Sequence, residues 1–245
     1  MFTKLTKAEK DWILYDVGNS AFILLVSTVM PLYFNSLAEK DGLSSVSYLA
    51  YWGYAASAAT LCVAFLGPVI GTITDFKGFK KPIFFISVLV GSILCFMMGF
   101  ISHWLIFLIF FIISKAVYSS SIIFYDSMLG DITTEERLDS VSSLGYAWGY
   151  IGSCIPFVLS LAVILGGKKI GISGSLAMTI AFTITAIWWF VFSLPLLKTY
   201  KQTHYIENTK NAIAESFKRL GNTLKNATKH KKIFLFLISF FFYID

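Results

Sequence analysis

The sequence predicts an all-α polytopic membrane protein with six transmembrane helices and the start of a seventh. Three observations predict it. Only 14% of the 245 residues are charged, against roughly 25% in a soluble domain. Apolar residues make up 56% of the chain, and the mean hydropathy is +0.72. Runs near the roughly 20 apolar residues that a spanning helix needs recur at 12–34, 49–71, 83–101, 104–128, 142–165 and 173–196, and another begins at 233–245. The alternating segments of about ten residues that build an outer-membrane barrel do not occur.

Residues 1–11 form the N-terminus, which is basic through Lys4, Lys7 and Lys10. The run behind it is too long for a signal peptide and lacks a clear small-residue cleavage site. Sixteen of the twenty Lys and Arg fall in segments on the N-terminal side of the membrane. Three (Lys40, Lys168, Lys169) fall in the opposite loops, and Lys115 lies within a span. The positive-inside rule then places the N-terminus in the cytoplasm. The net charge of +6 reflects this topology and contact with anionic inner-leaflet lipid, not nucleic-acid binding.

The first span opens with "DWILYDVGNSAF", which sets Asp16 and Asn19 one turn apart in an apolar run. A charge at the centre of a spanning helix costs about 2.5–3.5 kcal/mol on insertion scales, and less near its end. Asp16, Asn19 and Ile23 share one face by helical spacing, with Tyr15 and Phe22 beside them. Two readings stand. Asp16 is an interfacial acid favoured by the helix dipole, or it belongs to a polar patch lining a water-filled cavity.

The second span carries Gly67 and Gly71 and runs into "GTITDFKGFKK". Gly71, Asp75, Gly78 and Lys80 fit G-x-x-x-D-x-x-G-x-[KR]. The glycines allow tight turns and close approach, and Asp75 can face the positive end of a neighbouring helix. The stretch resembles the loop signature of the major facilitator superfamily, in the place that signature occupies. The resemblance implies a loop that latches two halves of the protein on the cytoplasmic side. Phe76 and Phe79 replace two usual basic positions.

His103 and Trp104 form a short outer turn, read as an interfacial anchor. The fourth span is unusually polar, with Ser114, Lys115, Tyr118, Ser119, Ser121 and Asp126. Lys115 lies near its middle, about 10 Å deeper than Asp16 by rise per residue. Asp126 lies about 20° off the face of Lys115. Asp16 or Asp126 is the candidate partner for this lysine, and snorkelling to an interface is the alternative. Asp131, Glu135, Glu136 and Asp139 surround Arg137 in the next loop, where helix capping and loop salt bridges explain them. Gly145, Gly149, Gly152 and Pro156 mark the fifth span for close helix packing.

Residues 197–232 form a basic cytoplasmic mid-loop. Ile213, Phe217, Leu220, Leu224 and Ala227 recur at helical spacing among Lys210, Lys218, Arg219, Lys225 and Lys229. An amphipathic helix on the membrane face fits, either as a linker between bundles or as a regulatory or partner-binding helix. The run 233–245 is too short to cross a ~30 Å core and reads as the beginning of a truncated seventh helix. Its Asp245 echoes Asp16, since each lies early in an apolar run that follows lysines.

"DWILYDVGNSAF", "FYDSMLGDITTEERLDSVSSLGYAWGYIGS" and "FLISFFFYID" together resemble the vacuole effluxer family, the autophagy-related permeases and their bacterial relatives. The resemblance implies that 12–196 is the six-helix N-terminal bundle of a twelve-helix major facilitator fold whose C-terminal half is missing here. It implies a secondary active transporter of small polar solutes, amino acids favoured, working by alternating access. Tyr15, Asp16, Asn19, Lys115, Tyr118, Asp126 and Asp245 are the candidate pathway residues. Proton coupling through Asp16 is the simplest mechanism, because a neutral carboxylate crosses a low-dielectric state more cheaply than a charged one. The expected site is the cell membrane, or a vacuolar membrane in a eukaryote. A non-transporting scaffold, receptor or truncated remnant is the alternative. No catalytic, metal or cofactor motif appears, and Cys62, Cys95 and Cys154 show no disulfide or metal spacing.

Overall fold

The computed structural model describes residues 5–207 without a break and isolated positions between 217 and 239. The described part is helical: α1 (Lys7–Ser27), α2 (Val29–Lys40), α3 (Ser45–Thr74), α4 (Lys80–Met98), α5 (Trp104–Ile132), α6 (Leu138–Gly166) and α7 (Gly174–Thr199), with 3-10 turns flanking α6. These make six elements long and apolar enough to cross a membrane, with α1 and α2 acting as one span of 34 residues. The chain is thus an integral multi-pass membrane protein. Asp245, and most of the segment expected to form an amphipathic helix, lie outside the described residues.

Side-chain caps mark the starts of α1, α3, α5 and α7. Thr6 opens α1 with a capping box: its side chain accepts from the Glu9 amide, and the Glu9 carboxylate accepts from the Thr6 amide at 2.7 Å. Such reciprocal bonds satisfy amides that a helix start would leave bare. Ser44 and Ser173 cap α3 and α7 with the side-chain bond alone, accepting from the Ser47 and Leu176 amides. The first span breaks at Thr28 because Pro31 has no amide to offer the carbonyl of Ser27, and its ring crowds that carbonyl. The Ser27 and Thr28 hydroxyls donate back to Ile23 and Leu24, completing the kink.

Helix α1 lies at the centre, packed chiefly on α6 and α7, while α4 packs on α5 and α7 and α3 packs on α5. Lipid chains are as apolar as leucine, so close packing rather than water exclusion holds such helices together. The glycines of α6 provide it. A Cβ on Gly149 would stand 2.8 Å from Ser20 Oγ and 3.3 Å from the Asp16 carbonyl. Gly145 abuts Trp12 and Asp16 in the same way. Trp189 of α7, fully buried, fills the space against Phe22 and Tyr118. By contrast α3 buries only Ala55, Ala59, Gly67 and Thr74.

The helices overrun most of the apolar runs. Helix α5 continues through Ser127, Gly130 and Asp131 to Ile132, because its polar end is tied by side-chain bonds described below. Helix α4 ends at Met98, short of its apolar run. There Gly99 meets the backbone of α7, where a Cβ would come within 2.9 Å of Thr179 Cα.

Candidate functional site

A cavity of about 990 Å³ opens between α1, α5 and α6. Positions 12, 16, 19, 20 and 23 of α1 line it, as do 118, 119, 122 and 126 of α5 and 142, 146, 150 and 153 of α6. Each set is one stripe at spacings of about three and four, the period that puts residues on one helix face. Asp16, Asn19, Tyr118 and Asp126 therefore meet at one cavity, although about a hundred residues separate the two pairs in the chain.

The polar groups form a chain. Asn19 Nδ2 donates to Asp16 Oδ1 at 3.1 Å and to the Tyr15 carbonyl at 3.1 Å. Tyr118 donates its hydroxyl to Asn19 Oδ1 at 3.2 Å. Asp16 and Asn19 are 8% and 2% exposed, so the carboxylate sits inside the protein rather than at an open interface. Trp12 stacks on Tyr125 at 4.2 Å between ring centroids and donates to its carbonyl, fixing the wall beside Asp16. Tyr146 and Tyr150 stand exposed on the open side.

Two predicted pathway residues sit elsewhere. Tyr15 is fully buried behind the cavity, edge-on to Phe84, and its hydroxyl bonds Ser121 at 2.9 Å. A residue next to Asp16 is turned about 100° around the helix, so Tyr15 supports the wall and does not line it. Lys115 forms no ion pair with any described acid and does not line the cavity. Its expected pairing with Asp16 or Asp126 is thereby corrected: the rise along the helix keeps it about 16 Å from Asp126.

The loop signature is held by contacts that local sequence does not announce. Gly78 adopts φ +81°, the left-handed turn that glycine permits. Gly71 meets nothing within 4 Å of a Cβ, so no close approach requires it here. Asp75 ends α3. Phe76 is wholly buried and pairs with Ile206 in an isolated β-bridge, with the Lys77 amide on the Ile206 carbonyl at 3.0 Å and the Ile206 amide on the Asp75 carbonyl at 2.8 Å. Gln202 accepts from the Gly78 amide and donates to the Thr74 carbonyl.

Lys80 is buried, 3.7 Å from Asp131, whose side chain is 1% exposed. Asp131 is the hub. Its Oδ2 accepts from Tyr200 at 2.6 Å. Its Oδ1 accepts from the Thr203 hydroxyl at 2.7 Å and from the Thr203 and His204 amides at 3.2 and 2.8 Å. Burial, then the adjoining carboxylate, push the Tyr200 phenol up from its ordinary range. A second lock joins the start of α1 to the turn after α5: Arg137 grips Glu9 with two bonds of 2.8 Å, and Thr133 adds one of 2.7 Å. Sequence reasoning placed Asp131 and Arg137 in generic loop bridges and missed these partners, which lie some 70 and 130 residues away.

Residues 6–245 match the family described as vacuole effluxer Atg22 like. The whole chain is also 42% identical, over 250 residues, to the uncharacterized MFS-type transporter YxiO of Bacillus subtilis (strain 168). It spans 58% of that relative's length.

Proposed function

Because the chain belongs to the Atg22-like vacuole effluxer family, we propose that it is the N-terminal half of a secondary transporter that moves small polar solutes by alternating access. The observation that carries this reading is the cavity, which gathers a buried carboxylate, an amide and a phenol at membrane depth. A membrane scaffold has no use for such a group, which is costly in the bilayer. Amino acids are the solute class that the family resemblance implies.

Asp16 is the proton site in this mechanism. With Asp16 protonated, the cavity holds no charge at that point as the protein passes through its closed, low-dielectric state. Asn19 and Tyr118 orient the carboxyl by the bonds described above. Asp126, on the open side, meets the solute first. The Lys80–Asp131 hub and the bridge to Ile206 make the loop signature and the start of the mid-loop one rigid piece, which moves with this half. The basic end of the bundle faces the cytoplasm by the distribution of Lys and Arg.

The test is counterflow of labelled amino acids in proteoliposomes carrying the full-length gene product, with and without a pH gradient. Wild type exchanges solute and responds to the gradient. Asp16→Asn keeps counterflow and loses the response. Full gradient-driven accumulation by Asp16→Asn refutes proton coupling through this residue, and absence of counterflow across the solute panel opposes the transporter reading.

A further inference from the structure

We propose that the cavity selects organic cations: solutes with a positive head and an apolar body, protonated amines included. This rests on the reading of the cavity as the solute site and goes further, to the charge of the solute.

The cavity's ionisable inventory is one-sided. Among the described residues Asp16 and Asp126 line it, and no Lys, Arg or His does. Lys115, the lysine at membrane depth among the described residues, lies off the lining along α5. The Asp16 carboxylate is nine-tenths buried, yet its side-chain bonding among the described residues is a single one, from Asn19 to Oδ1. Oδ2 is left over the bare Cα of Gly145, where even a Cβ would stand 3.2 Å away. A carboxylate oxygen that accepts no bond from a described side chain, in a residue only 8% exposed, is a strong site for a ligand donor.

The aromatic groups supply the second element. Tyr118, Tyr146 and Tyr150 reach the cavity from two helices. Ring faces attract cations within about 6 Å, adding to the pull of the carboxylates. Ile23, Leu24, Ile122 and Ile123 give the wall an apolar stretch among serines 20, 119, 142 and 153, a surface on which a hydrocarbon body can rest beside the carboxylates. Against this half of the protein an anion would meet two carboxylates and no basic group among the described lining residues, and a neutral solute would forgo both attractions.

The experiment uses two probes of equal shape and opposite charge, tetraphenylphosphonium and tetraphenylborate, with the full-length protein in lipid nanodiscs. Binding is followed by calorimetry against empty nanodiscs, which removes lipid partitioning. Wild type binds the phosphonium with an affinity about tenfold or more above that of Asp126→Asn, and about tenfold or more above Asp16→Asn. The borate gains no saturable binding over empty discs. Asp126 is exposed, so its variant folds even if Asp16→Asn does not, and a thermal melt checks both. Equal phosphonium binding by wild type and Asp126→Asn, or saturable borate binding by wild type, overturns the inference. Failure here is separable from failure of the transporter reading. Counterflow of a neutral or zwitterionic solute without phosphonium binding leaves transport standing and the cation preference refuted. Phosphonium binding without counterflow of any cation does the reverse.

Discussion

Replacing Asp131 severs the attachment of the mid-loop to the bundle. Its Oδ1 accepts from the Thr203 hydroxyl and the Thr203 and His204 amides, with His204 Nδ1 also 2.9 Å away, and its Oδ2 faces the Tyr200 hydroxyl and the Lys80 ammonium. Asn keeps one oxygen for the Thr203–His204 set but turns an NH₂ group toward Tyr200 and Lys80. Lys80 then stays buried with only the Ser127 carbonyl, 3.3 Å away, as acceptor. Breaking one side of a buried ion pair costs about 3–5 kcal/mol. The 3.7 Å separation places this pair at the low end, about 3 kcal/mol for Asp131→Asn. Asp131→Ala also forfeits the remaining bonds and costs more, though the terms do not add fully because they share one carboxylate. The cost appears first as local opening of 200–207, whose backbone bonds to the 75–78 turn depend on it. Hydrogen exchange of a peptide covering 200–207 in the full-length protein measures it. A 3 kcal/mol loss speeds exchange on the order of a hundredfold. Lys80→Met in the Asp131→Asn background recovers part of the loss, since no charge is then left buried. Acceleration below about threefold, or no recovery by the second substitution, refutes the assignment of Asp131 as the hub.

Three further outcomes follow from the geometry. Gly149→Ala forces α1 from α6 and destabilises the fold by about 1–3 kcal/mol; thermal melts show the cost shrinking when Ser20→Ala removes the nearest obstructing atom. Arg137→Met leaves Glu9 buried without its two-pronged partner, lowering the melting temperature more than Glu9→Gln with Arg137→Met together. Tyr118→Phe removes one buried hydrogen bond worth about 1 kcal/mol, so folding survives; gradient-driven transport falls with it if the phenol orients Asn19 on Asp16, and unchanged transport assigns it to packing.

The spans were legible because about 20 apolar residues can scarcely serve another purpose. The stripe of Asp16 and Asn19 was legible because helical spacing places both on one face, and the same spacing on α5 brings Tyr118 and Asp126 to it. What spacing alone misjudges is direction and depth. Tyr15 neighbours Asp16 in sequence yet faces Ser121 and Phe84, and Lys115 shares a face with Asp126 but not a level. The Lys80–Asp131–Tyr200 hub was beyond reach for another reason. Its members lie on three helix ends, and no local pattern links residue 131 to 200–204 before the bundle closes. Phe76 shows the same limit: at a position where the loop signature usually has a basic residue, it is a buried side chain paired with Ile206.

The most direct measurement is the accessibility of a cysteine at Ser119, a cavity-lining position on α5, in a full-length protein otherwise free of cysteine. If the cavity lies on an alternating pathway, Ser119→Cys reacts with a membrane-impermeant maleimide, and transported solute slows the reaction. A control cysteine at the exposed Leu159 of α6 stays unreactive. Ser119→Cys that remains unlabelled from both sides, while a cysteine at the exposed loop residue Ser44 is labelled, contradicts a solute pathway through this cavity.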